Sequence, residues 1–178
     1  MPSEYLAQLW ELCFGDTKET AIEFLSISDV VTLTSERDGK GVAMASLVPV
    51  STEHGQNGVY VYGVCVHPKH RGQGIFRELM ARCEVFAKDK GADFLCLIPA
   101  DDSVRNAYKK MGYNIEVATA QNRVSDDVGI FSLSEDFTKF AVPDGEPSLN
   151  IKCGLLKPLK HFDTQNKKYS FLYHMGEC

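Results

Sequence analysis

Between His67 and Met80 the chain reads HPKHRGQGIFRELM, two glycines and a run of basic side chains set between a β-like segment and a helix-like one. A helix start leaves several backbone N–H groups without partners and carries the positive end of the helix dipole, so it binds anions readily. Glycines just ahead of it let the backbone approach a phosphate and adopt turns closed to other residues. Gly72 and Gly74 stand where both effects are needed. Spacing then separates the phosphate-binding patterns. A P-loop requires G-x-x-x-x-G-K-[ST], and the sequence has none. A dinucleotide fingerprint requires a glycine three residues after Gly74, where Arg77 stands. The remaining pattern is R-x-x-G-x-[GA] after an apolar strand and before an amphipathic helix, here Arg71-Gly72-Gln73-Gly74-Ile75-Phe76.

The elements around this turn must position it. Upstream, GVYVYGVCVHP is long and continuously apolar, which predicts a central strand covered on both faces. Downstream, Ile75, Leu79, Met80, Cys83, Phe86 and Ala87 recur at helical spacing, and Gly91 ends the helix. ADFLCLIP reads as a second buried strand stopped by Pro99. Val104, Ala107, Tyr108 and Met111 mark one face of a short helix ending at Gly112. Strand, helix, strand in this order implies a parallel pair with a crossover helix.

Toward the N-terminus, SEYLAQLWELCF has Leu6, Leu9, Trp10 and Cys13 at i, i+3, i+4, i+7, with Ser3 as N-cap and Gly15-Asp16 as terminator. A second helix is expected over 18–25. DVVTLTSE and GVAMASLVPV are β-rich runs joined through Arg37-Asp38-Gly39-Lys40-Gly41, a hairpin signal. Beyond Tyr113, short strands are expected over 128–133, 149–156 and 169–174, and VPDGEPS is a loop. No repeat or composition shift divides the chain, so the expectation is one domain over residues 1–178.

The strand and turn, VYVYGVCVHPKHRGQGIFRELMARC, resemble the GNAT superfamily of acyl-CoA-dependent N-acyltransferases, and the resemblance extends from about Val31 to about Tyr113. It implies an α/β fold, with a mixed, mostly antiparallel twisted sheet, a central parallel strand pair and flanking helices. It implies acetyl-CoA as co-substrate and no metal. Position by position, the pantetheine contacts fall on Val64, Cys65 and Val66. The pyrophosphate contacts fall on Gly72, Gln73, Gly74, Ile75, Phe76 and Arg77. Phe76 departs from the family's usual Gly or Ala.

IPADDSVRNAYKKMGYN resembles the family's second element, with Tyr108 four residues before Gly112. The resemblance implies that Tyr108 protonates the departing CoA thiolate. A phenol with a pKa of about 10 is protonated at neutral pH, and a thiolate of conjugate pKa about 8.5 leaves more easily when given that proton. Tyr108 also lies on the apolar face of its helix, which is equally a packing position. Asp101 replaces the usual Asn seven residues earlier; it can cap the helix but cannot donate a hydrogen bond as an amide does.

The implied reaction is attack of a neutral primary amine on the acetyl thioester, with the oxyanion held by a backbone N–H near Val66. Glu53, His54 and His67 are candidates to take the amine's proton, and Tyr60 and Tyr62 to line the acceptor site. The competing function is a non-catalytic acyl-CoA-binding or sensory module on the same fold.

Composition bounds the partners. Of 178 residues, 44% are hydrophobic and 24% charged, values of a globular protein. The net charge of −5 argues against general nucleic-acid binding and tolerates a cationic acceptor, whether small molecule or peptide. No apolar run approaches the length of a membrane span, and the N-terminus lacks the basic region of a leader, so no membrane partner is expected. The six cysteines show neither C-x-x-C nor metal-ligand spacing, and most sit in apolar runs. Reduced thiols in a cytoplasm are the expectation. A homodimer is the oligomer that the resemblance suggests.

Overall fold

The computed structural model describes residues 4–52, 54–119, 128–141, 154–160 and 168–171. Helices α1 (Glu4–Phe14) and α2 (Lys18–Leu25) come first along the chain, then the hairpin β1 (Val31–Arg37) and β2 (Lys40–Thr52). Asp38 and Gly39 both take positive φ, 52° and 71°, the primed-turn conformation that matches strand twist in two-residue hairpin loops. Strand β3 (Asn57–Val66) runs into a 3₁₀ turn, Pro68–His70, and then α3 (Ile75–Asp89). Strand β4 (Phe94–Leu97) and helix α4 (Asp102–Lys109) complete the region that the sequence patterns cover.

The remainder is β5 (Ile115–Thr119), β6 (Val128–Leu133), α5 (Glu135–Ala141), β7 (Gly154–Pro158) and β8 (Lys168–Phe171). β6 lies on its expected residues. β7 begins inside the expected 149–156 and runs past it to Pro158, and residues 149–153 lie outside the described part. Residues 172–174 of the last expected strand lie there too, as does Ser3. β5 and α5 carry no sequence signal: of the described side chains of IEVAT only Val117 is buried, and α5 is only seven residues long. Tertiary cover decides them. Phe137 of α5 is fully buried, and Ser134 caps the helix by accepting from the Phe137 N–H.

The sheet has eight strands in the order β1-β2-β3-β4-β7-β5-β8-β6, and β6 pairs again with the end of β2. The β3–β4 pair at its centre is parallel, as the crossover through α3 requires. β5–β8 and β6–β8 are parallel as well, and the other pairs are antiparallel. Two cores cover the two faces. One gathers Trp10, Phe24, Met44, Val48, Tyr60, Cys96 and Phe137 beneath α1, α2 and α5. The other gathers Ala43, Leu47, Val59, Val61, Leu79, Cys83, Leu95 and Tyr108 beneath α3 and α4. No helix among the described residues is long and apolar enough to cross a membrane.

Candidate functional site

β3 changes its phase before it ends. Its pairing with β2 runs regularly from Ser51↔Asn57 to Ser46↔Tyr62, then jumps to Met44↔Cys65, so Ala45 alone faces Gly63 and Val64. One extra residue in one strand is a β-bulge, which turns the following side chains to the opposite faces. The cores show the turn. Before the bulge Tyr60 lies in the α1 core and Val59 and Val61 in the α3 core; after it Cys65 lies in the α1 core and Val64 and Val66 in the α3 core. Gly63 makes the bulge possible with φ +59°, and a Cβ there would sit 2.9 Å from the Trp10 ring. Trp10 is held over it by its indole N–H, which donates to Asp16 Oδ2 at 2.9 Å.

β4 accompanies only the start of β3. Their parallel pairing covers only Gly58–Tyr60 against Phe94–Cys96, while β3 runs on to Val66. Past Tyr60 the pairing stops, and among the described residues no strand is paired with Val64–Val66 on that edge. An edge of this kind can take an extended ligand as an added strand.

At the end of β3 the chain turns tightly. The His67 N–H donates to Val42 O at 2.8 Å, and the His67 ring accepts from the Lys69 N–H through Nδ1 at 3.2 Å. Arg71 folds back so that its Nε–H donates to Val66 O at 3.1 Å. Gly72 and Gly74 have φ of +77° and +80°, and no atom lies within 4 Å of a Cβ built on either. Gly74 is the N-cap of α3 and supplies no side-chain cap. The first helical bond is Glu78 N–H to Gly74 O, so the amides of Ile75, Phe76 and Arg77 precede the ladder. A glycine-lined opening in front of uncapped amides is a fit for an anion.

The third wall is α4. Asp101 caps it, its Oδ1 accepting from the Val104 N–H at 2.8 Å. Tyr108 is fully buried, its ring 5.3 Å from Phe76 and 5.6 Å from Tyr113 in edge contacts. Phe76 therefore points away from the amides of its own turn and packs sideways against α4. Between the three walls lies a cavity of about 850 Å³. Val64, Cys65, Val66, Gly72, Gly74, Ile75, Phe76 and Tyr108 line it, together with residues of α1.

The sequence pattern of the Acetyltransferase (GNAT) family matches residues 3–113, more than half of the chain. The chain belongs to the GNAT acetyltransferase family. Solved GNAT structures share its fold. A GNAT N-acetyltransferase from Escherichia coli in complex with CoA is 13% identical, with 98% of this chain and 86% of that one covered and a TM-score of 0.63. A GNAT acetyltransferase from Elizabethkingia anophelis with acetyl-CoA bound is 18% identical, with 89% and 92% covered and a TM-score of 0.59. An aminoglycoside 6'-acetyltransferase type Ii is 15% identical, with 89% and 90% covered and a TM-score of 0.61. No curated protein matches the sequence.

In this GNAT chain, Gln73 and Arg77 of the expected cofactor contacts do not line the cavity, and neither does His67 of the expected proton acceptors. Arg77 lies instead in shallow clefts beside α4, because the first turn of α3 rotates it away. Tyr62 lines the cavity, whereas Tyr60 is buried in the α1 core. His54 is exposed at the start of β3, roughly the strand's length of ~30 Å from its end. Glu53 lies outside the described residues. α1 supplies side chains that no motif marked: Trp10, Cys13 and Phe14. The helical stripe of α1 places Trp10 and Cys13 on its inner face, and that face meets the cavity.

Cys13 is half-buried, and its thiol donates to Val66 O at 3.9 Å. A hydrogen bond from Cys65 holds the Cys13 thiol down from 9.0 to about 7; burial opposes this, and the Arg71 charge adds to it. The same hydrogen bond, together with burial, pushes Cys65 far up. Cys83, under α3, is pushed up to about 12 by burial alone among its main influences. No group of His, Cys, Asp or Glu among the described residues could hold a metal ion.

Proposed function

We propose that this GNAT protein is an N-acetyltransferase, a single acyltransferase domain over residues 1–178 that moves the acetyl group of acetyl-CoA to a primary amine of a small-molecule or peptide acceptor. One observation carries the reading: the edge of β3 beyond its pairing with β4, the first residues of α3, Ile75 and Phe76, and Tyr108 of α4 all line one cavity. Acetyl-CoA brings an activated thioester whose thiol leaves as a thiolate. The backbone of Val64, Cys65 and Val66 holds the pantetheine arm by strand-like pairing. The turn from Gly72 to Arg77 holds the pyrophosphate, with Gly72, Gln73 and Gly74 allowing approach and the amides of Ile75, Phe76 and Arg77 donating. Of the amides near Val66, that of His67 is spent on Val42, so the carbonyl oxygen is served from within β3. Tyr108 gives its hydroxyl proton to the leaving thiolate.

Among the described residues Cys13, Cys65, Cys83 and Cys96 are free thiols, which supports a cytoplasmic location. The other reading, a silent acyl-CoA-binding module, is favoured by the burial of Tyr108 between Phe76 and Tyr113.

Isothermal titration with acetyl-CoA tests the premise that both readings share, and a folded sample without binding overturns both. A panel of primary amines, scored by CoA release, separates them. Amine-dependent release is expected, and Tyr108→Phe should lower turnover about 100-fold with acetyl-CoA affinity retained. Binding without release from any amine puts the silent module first.

A further inference from the structure

The cavity holds a pair of thiols that acetyl transfer does not use. Cys13 comes from the last turn of α1 and Cys65 from the end of β3, 52 residues later, and both line the cavity. Their meeting depends on the bulge. With the register that β3 keeps up to Tyr62, Cys65 would face α3; the extra residue at Gly63 turns it into the α1 core, against which Cys13 packs. Arg71 stands at the same point, because its Nε–H and the Cys13 thiol both donate to Val66 O.

We propose that Cys13 and Cys65 form a peroxide-reactive dithiol, with Cys13 the attacking thiol and Cys65 the resolving one. The two differ in the way such a pair requires. Cys13 is the more exposed sulfur, facing an open cavity, with a thiol donor and a guanidinium beside it to stabilise a thiolate. Cys65 is buried, and its nearness to Cys13 and its burial both push its thiol up, which keeps it protonated.

The co-reactant is a hydroperoxide. The Cys13 thiolate attacks one peroxide oxygen and the O–O bond breaks; Cys13 becomes a sulfenic acid and the other oxygen leaves as hydroxide or alkoxide, which takes up a proton. The Cys65 sulfur then attacks Cys13 Sγ, its proton joins the departing hydroxyl as water, and the S–S bond forms. Two electrons pass from the thiols to the peroxide. The product ties α1 to β3 across the wall of the cavity. This chemistry does not rest on the acetyltransferase reading.

The test treats the fully reduced chain at pH 7 with a small excess of hydrogen peroxide and maps the product by mass spectrometry. Trypsin places Cys13 alone in the peptide ending at Lys18 and Cys65 alone in peptide 41–69. Expected is loss of two hydrogen atoms and a cross-link between these two peptides, reversed by dithiothreitol. In Cys65→Ser, Cys13 should instead stop at the sulfenic acid and be captured by dimedone. Cross-links to other cysteines only, or Cys13 recovered as free thiol while another cysteine is oxidised, would overturn the proposal. The wild-type map decides it without any variant.

Discussion

Two glycine bends border the same cavity, and their surroundings are opposite. Gly74, at the start of α3, has φ +80° with nothing within 4 Å of the place where a Cβ would stand. Gly63, in the bulge of β3, has φ +59° with the Trp10 ring 2.9 Å from that place. Both positions need glycine for the backbone. Only one also needs it for a neighbour, and that neighbour lies 53 residues earlier in the chain. An open bend is a place kept for something that arrives, here the anion of the proposed function. A covered bend is a joint, where α1 is seated on the sheet and the strand's faces are exchanged.

The contrast can be tested by substitution. Gly63→Ala combines positive-φ strain with a collision against a buried ring, so unfolding free energy should fall by roughly 2–4 kcal/mol in urea titrations. A loss no larger than that of Gly74→Ala would erase the distinction. Trp10→Leu sharpens it: in that background the collision is gone, and Gly63→Ala should cost only the strain, so the double-mutant cycle is non-additive. Gly74→Ala itself should cost about 1–2 kcal/mol of stability, but weaken acetyl-CoA binding by more than its effect on folding accounts for.

Smaller effects lie on the other walls. Asp101→Ala removes the cap of α4 and should cost about 1 kcal/mol, since one first-turn amide loses its partner. Tyr108 rides on that helix, so turnover should fall with it more than affinity does.

At the far end of β3, Asp93 accepts from the Asn57 N–H at 3.0 Å and from Lys160 at 3.0 Å. The Asn57 hydrogen bond, then that of Lys160, holds its carboxyl below the usual 3.8. A carboxylate lowered by folding stabilises above its unfolded value, and that share is lost as pH falls through the lowered one. The stability gap between wild type and Asp93→Asn should therefore stay constant above about pH 5 and narrow as pH falls below the unfolded value of 3.8, followed by urea midpoints. A gap still constant below that value would mean that the ion pair contributes nothing there.

The predictable part of the site is its backbone. Glycine positions, the apolar run of β3 and the helical stripe of α3 each report a conformation that nearby residues impose, so the turn from Arg71 to Arg77 was legible as an open turn ahead of an uncapped helix start. Phe76 was legible only as a departure. In three dimensions it is a side chain diverted toward Tyr108, which leaves the amide of its own residue in place. The fold was legible as far as Tyr113 for the same reason, since strand and helix periodicities run unbroken to that point. Past it the strands are short and held by partners distant in sequence: β5 lies between β7 and β8, and α5 is stabilised by the burial of Phe137.

The bulge is where local reading fails outright. GVYVYGVCV is apolar on both faces, so no alternation exists in which a one-residue slip could be seen. Sequence by itself determined that a strand, a two-glycine turn and a helix would follow one another with the turn's amides open. The direction of every side chain after Gly63, and with it the meeting of Cys65 with Cys13 and of Trp10 with the sheet, was decided by the packing of α1. Side-chain facing in a doubly buried strand is set by its neighbours' register, and those neighbours are distant in the chain.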